Sequence, residues 1–143
     1  MHTIKQILGH KLSDEIWSVT PDATVFEAIQ EMADRRAGAL LVMDGDKLAG
    51  IISERDYARE VILKGRSSKK TLVGEIMSAD VISVPSGFGV SAALGLMTEH
   101  HIRHLPVVDE GQVVGVVAIG DLVKDIINLQ QSTIEQLQNY IRT

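Results

Sequence analysis

The 143-residue chain has no cysteine and only five aromatic residues, Trp17, Phe26, Tyr57, Phe88 and Tyr140. Without cysteine there is no disulfide framework, no thiolate nucleophile and no cysteine-based zinc site. Its 14 basic and 19 acidic residues leave a net charge of −5. The chain therefore has neither the positive stripe nor the aromatic platforms that nucleic-acid surfaces combine. No run approaches the ~20 apolar residues of a membrane span, and the opening MHTIKQILGH holds no signal-peptide core. These absences predict a soluble, cytoplasmic protein with no nucleic-acid or membrane partner. What is present is a 45% hydrophobic content, and a chain of this length buries roughly 68 to 70% of its unfolded surface without a staple.

The chain repeats itself. Residues 16–56 align with residues 81–121 at a constant offset of 65, with ten identities in 41 pairs: Ser18/Ser83, Val19/Val84, Val25/Val90, Ala28/Ala93, Met32/Met97, Leu40/Leu105, Val42/Val107, Asp44/Asp109, Gly50/Gly115 and Asp56/Asp121. Each copy reads as a short strand (Ile16 to Val19; Val81 to Val84), followed by apolar residues at helical spacing (Val25, Ala28, Ile29, Met32; Val90, Ala93, Leu94, Met97). Two short apolar runs joined by a turn then predict a hairpin, Ala39 to Met43 with Leu48 to Ser53, and His104 to Asp109 with Val113 to Ala118. A second helix opens at Glu54, extending to Leu63, and at Ile119. One β-α-β-β-α unit leaves an apolar sheet face uncovered, and two units packed through their sheets cover both.

Other features have plainer readings. Lys64 to Lys70 reads as a polar, solvated linker, and Ser132-Thr-Ile-Glu135 has a capping-box pattern that predicts a break in the C-terminal helix. His100, His101 and His104 cluster, but with no HExxH and no cysteine no metal site is expected. Gly87-Phe-Gly89-Val-Ser-Ala92, with Asp109 beyond it, matches a dinucleotide fingerprint in outline. Copy one has Asp22, Ala23 and Thr24 at the corresponding positions, so this stretch is read as a loop that tolerates glycine. No nucleophile, base and orienting group come together in the sequence, and no catalytic residue is assigned.

Each repeat ends in Gly-apolar-apolar-x-x-x-Asp-apolar (Gly50-Ile-Ile-Ser-Glu-Arg-Asp56-Tyr; Gly115-Val-Val-Ala-Ile-Gly-Asp121-Leu), and the second contains Ile102-Arg-His-Leu-Pro-Val-Val-Asp109. With these motifs the chain resembles a tandem cystathionine-β-synthase (CBS) domain pair, or Bateman module, over residues 12 to 125. The resemblance implies an α/β (α+β) fold of two pseudo-symmetric repeats with extra helical segments at both ends. It divides the sequence into a first repeat with its N-terminal segment (1–65), a second repeat with its linker (66–125) and a helical tail (126–143).

It also implies a non-catalytic regulatory module holding an adenosine ligand in two clefts, AMP first, then ATP or ADP, NAD or NADH, with S-adenosylmethionine also known in such pairs. A homodimer of pairs and an unidentified effector protein are implied as partners. Carried over residue by residue, Asp56 and Asp121 become ribose anchors, since a carboxylate accepts from both vicinal hydroxyls. Ser53, Arg55, Arg103 and His104 face phosphate. Trp17, Ala37, Gly38, Ala39, Ile51, Ile82, Ile102, Val116 and Gly120 line adenine and sugar. The departures from the pattern are Ala118 where copy one has Ser53, and Gly38 and Ala39 where copy two has Arg103 and His104. They predict unequal clefts. Two plainer readings stay open: Asp56 and Asp121 as helix caps, and Trp17 as a core residue. The alternative function is an interaction module with degenerate clefts.

Overall fold

A computed structural model describes residues 2–9 and 17–142. It is a mixed α+β chain in two compact units, one built from residues 17–82 and the other from residues 2–9 together with 83–142. In the first, β1 (Ser18–Val19) pairs in parallel with β2 (Ala39–Asp44), which pairs antiparallel with β3 (Lys47–Ser53). Helix α2 (Val25–Arg35) is capped by Thr24, whose hydroxyl accepts from the Glu27 N–H at 3.1 Å. It buries Val25, Ala28 and Met32 against Leu40, Val42 and Ile52. After β3 comes α3 (Glu54–Tyr57), which widens into a π-turn over Ala58–Ile62. The helix read from Glu54 to Leu63 is thus regular only in its first turn. Ile16, assigned to the first strand, lies outside the described residues.

The second unit repeats this plan. Helix α5 (Val90–His100) buries Val90, Ala93 and Met97, while Leu105, Val107 and Val117 are buried from the hairpin of β4 (His104–Asp109) and β5 (Gln112–Ala118). Even the irregularities recur at the 65-residue offset. Both hairpins shift register after the same valine of the repeat, between Val42 and Met43 and between Val107 and Val108. Arg36 and His101, at φ 53° and 56°, both end their helices in the left-handed region. One element differs from expectation: residues 81–84 form no strand, only a single parallel bridge from Val84 to Val107. In copy one the Leu41 N–H donates to the Trp17 carbonyl at 3.3 Å. Its counterpart is Pro106, which has no N–H to extend the ladder.

Each unit is completed by a short helix that precedes the other repeat in the chain. Helix α1 (Ile4–Gly9) packs in the second unit, and α4 (Val73–Ile76) in the first. The dockings match bond for bond. The Val25 N–H donates to Thr71 O, Val73 to Ala23 O and Gly74 to Pro21 O, at 2.8, 2.8 and 2.9 Å. In the second unit Val90 donates to His2 O, Ile4 to Phe88 O and Lys5 to Ser86 O, at 3.1, 2.9 and 2.8 Å. Ile4 and Ile7 are buried as Val73 and Ile76 are. The ring of His2 meets the Asp125 carboxylate at 2.7 Å, fixing the leading segment to α6 (Ile119–Arg142). That last helix is continuous, contrary to the break expected at Ser132: the Thr133 hydroxyl bonds back to the Leu129 carbonyl at 3.1 Å, so it is satisfied inside the helix.

Gly50 and Gly115, identical in the two repeats, sit where these docked segments press on the sheet. A Cβ on Gly50 would lie 2.7 Å from both the Met77 sulfur and the Ser78 carbonyl oxygen, whereas on Gly115 it would meet a Leu8 methyl at 2.7 Å. The Ser78 carbonyl is held by the Ile51 N–H at 3.1 Å and cannot retreat; the Leu8 methyl can turn aside. Gly50→Ala is therefore expected to cost about 1–3 kcal/mol and Gly115→Ala clearly less, an ordering that urea unfolding of the two variants checks.

Candidate strand-to-helix site

The candidate ribose and phosphate residues lie where the last strand of each repeat turns into a helix. The Glu54 N–H donates to Gly38 O at 3.1 Å, and the Ile119 N–H donates to Arg103 O at 2.8 Å, which brings the residue before the hairpin beside the start of the helix in both units. The aspartate of each motif folds back on the strand end. Asp56 Oδ2 accepts from the Ser53 N–H at 2.9 Å, and Asp121 Oδ2 accepts from the Ala118 N–H at 2.9 Å. In copy one Ser53 completes a reciprocal box: its hydroxyl donates to Asp56 Oδ2 at 3.0 Å and accepts from the Asp56 N–H at 3.2 Å. Ala118 has no hydroxyl and offers only the backbone half.

Of the residues assigned from the resemblance, the unit of residues 17–82 holds Trp17, Ala37, Gly38, Ala39, Ile51, Ser53, Arg55, Asp56 and Ile82; the other holds Ile102, Arg103, His104, Val116, Gly120 and Asp121. Around Asp121 the backbone brings together Arg103, exposed, and His104, half-buried and paired with Ala118 across the hairpin. Arg55 is exposed beside Asp56. Ile51 and Val116 lie at equivalent, half-buried strand positions. Trp17 packs partly buried against the core, and the Arg35 guanidinium stands over its ring at 5.2 Å from the centroid while also pairing with Glu31. Arg35 was not singled out from sequence, because nothing in an 18-residue separation signals that contact.

The other flagged groups have structural surroundings. α5 ends at His100, so His100 and His104 share no helix. Among the described residues no cluster of three or more His, Cys, Asp or Glu is placed to hold a metal, and no helix is long and apolar enough to cross a membrane. The glycine-containing loop before α5 uses its backbone carbonyls to receive the leading segment. Asp109, its distant acid, accepts from the Ser86 hydroxyl at 2.5 Å and the Ser86 N–H at 2.9 Å. These bonds, with Lys5 nearby, hold its carboxyl below the usual carboxylate range.

The geometry can be set beside known proteins. The CBS domain family model matches residues 4–63 and 73–128. The mitochondrial CBS domain-containing protein CBSX3 of Arabidopsis thaliana is 40% identical over 132 residues, covering 89% of this chain; the chain spans 64% of that protein's length. A protein with CBS domains from Burkholderia ambifaria MC40-6 superposes with a TM-score of 0.87 at 50% identity, over 89% of this chain and 95% of its own. A CBS domain pair solved in complex with 5′-methylthioadenosine and S-adenosyl-L-methionine superposes with a TM-score of 0.78 at 25% identity, over 90% and 98%.

Two outcomes follow from the junctions and their surroundings. Ser53→Ala removes the side-chain half of the cap and is expected to cost about 1 kcal/mol, read as a fall in melting temperature of roughly 3 °C. Asp109, with its folded pKa depressed, contributes stability that is complete above its unfolded value of about 3.9 and is lost as pH falls through the folded pKa. Asp109→Asn should therefore lower the melting temperature near neutrality and converge with the parent on the acid limb below about pH 4, as a pH series of thermal melts would show.

Proposed function

Because the chain belongs to the CBS domain family and carries the domain twice, we propose that it is a non-catalytic regulatory module that binds an adenosine-containing nucleotide at each strand-to-helix junction. AMP is the first candidate ligand, followed by ATP or ADP and NAD or NADH. The observation that carries this reading is the recurrence of one carboxylate, Asp56 and Asp121, accepting from the same strand-end N–H in two junctions whose backbone hydrogen bonds correspond. A carboxylate offers two oxygens with about four lone-pair sites, and two vicinal ribose hydroxyls suit it. Arg103 and His104 beside the start of the 24-residue α6 supply cationic and N–H groups for phosphate. The Asp56 junction has Ser53 and Arg55 in that role, on a helix of four residues. The Asp121 site is accordingly the stronger phosphate binder. The related pair solved with 5′-methylthioadenosine and S-adenosyl-L-methionine supports an adenosine ligand. The module acts in the cytoplasm as a homodimer of CBS pairs, and a ligand transmits a signal to an effector protein only by favouring one conformation over another.

A second reading, an interaction module without a nucleotide, is favoured by one observation: each aspartate caps its helix, which accounts for its recurrence without a ligand. Calorimetric titration with AMP, ADP, ATP, NAD, NADH and S-adenosylmethionine, with GMP as control, separates the two. The informative variants are Asp56→Asn and Asp121→Asn, because asparagine keeps an oxygen for the capping N–H while removing the charge and one acceptor. Micromolar binding that weakens about tenfold or more in Asp121→Asn, and less in Asp56→Asn, is the expected result. No heat and no change in melting temperature with any ligand would leave the interaction module. Trp17 is the only tryptophan, so a ligand-dependent change in its emission tests its assignment to the adenine wall.

A further inference from the structure

α6 runs 24 residues, yet its packing is spent early. Leu122 is fully buried and Asp125 and Ile126 half-buried, whereas every residue from Ile127 to Ile141 is exposed. This stretch, about 22 Å long at the helical rise, is not polar all round. Ile127, Gln130, Ile134, Leu137 and Ile141 recur at spacings of three and four, with Val123 one step earlier, and form a single seam. Ile127, Ile134, Leu137 and Ile141 are 49, 53, 58 and 81% exposed. An isolated helix of 12–15 residues is marginal in water, and in proteins most helical stability comes from packing an amphipathic face.

We propose that this seam pairs with the same seam of a second copy of this chain, as a parallel two-stranded coiled coil. Charge argues for a second copy. Among residues 127–141 the only charged side chain is Glu135, which lies off the seam, and the positions flanking the seam (Ile126, Gln131, Thr133, Gln138, Tyr140) are all uncharged. Flanking charges are what select the partner in a coiled coil; with none here there is nothing to draw a charged foreign helix in preference to a second copy, and nothing to repel that copy. The residue types argue for the geometry. Isoleucine fills the first seam position at 127, 134 and 141, and leucine the second at 137, the combination that favours two parallel strands. Parallel, in-register pairing also sets Gln130 against its own copy, where each amide can donate and accept; antiparallel pairing centred on Ile134 would set it near Gln138, away from the matching seam position.

Two measurements on the full chain test this. In a sedimentation dilution series, Ile134→Glu combined with Leu137→Glu is expected to raise the dissociation constant for self-association at least tenfold; both positions are exposed in the single chain. Since the chain has no cysteine, Ile141→Cys places one thiol on the seam and Asn139→Cys places one on the outer face. Oxidation should link Ile141→Cys copies at least ten times faster than Asn139→Cys copies. An unchanged dissociation constant in the double variant, a monomeric parent, or equal linking rates would each overturn the proposal.

Discussion

The structure depends on six backbone hydrogen bonds, three in each unit, that fasten a short leading segment against the loop before the long helix of a repeat. Neither hairpin with its helix closes a core alone; Ile4 and Ile7 complete one and Val73 and Ile76 the other. Because backbone groups make the fastening, the sequences of the two segments are free to differ. The sheet beneath must only leave room, as Gly50 and Gly115 do.

The same economy governs the candidate site. A carboxylate three residues beyond the strand end stops the strand and starts the helix in one step, and the carbonyl of residue 38 or 103 holds the helix start from the other side. This leaves the variable positions, Ser53 against Ala118 and Gly38-Ala39 against Arg103-His104, to be changed without disturbing the backbone. One chain can thus carry two junctions of equal geometry and unequal chemistry.

Much of this was legible in the sequence because the repeat is gapless over residues 16–56 and 81–121. The hairpins, the long helices and the pairing of Asp56 with Asp121 come directly from that alignment. The leading segments escaped it because residues 2–9 correspond to 71–78 at an offset of 69, and the match is carried only by apolar character (Ile4, Ile7, Leu8; Val73, Ile76, Met77) over too few residues to stand out. The strand expected at 81–84 failed for a reason present in the sequence, Pro106, but visible only once its partner was known. The break expected at Ser132 rested on a motif that specifies a cap only where the backbone leaves the helix, and Thr133 shows a hydroxyl satisfied within it. The contact of Arg35 with Trp17, and the use of Asp109 to anchor Ser86, depend on tertiary placement that no local spacing records.

The exchange of leading helices also orders events on the ribosome. A chain emerging N-terminal end first produces Ile4–Gly9 before any of its binding surface exists. Residues 17–82 contain everything their own unit needs and can assemble while synthesis continues. Helix Ile4–Gly9 must wait until residues 83–118 have been made before Ile4 and Ile7 find their core. A helix translated ahead of both repeats is thus placed only after most of the second has been made.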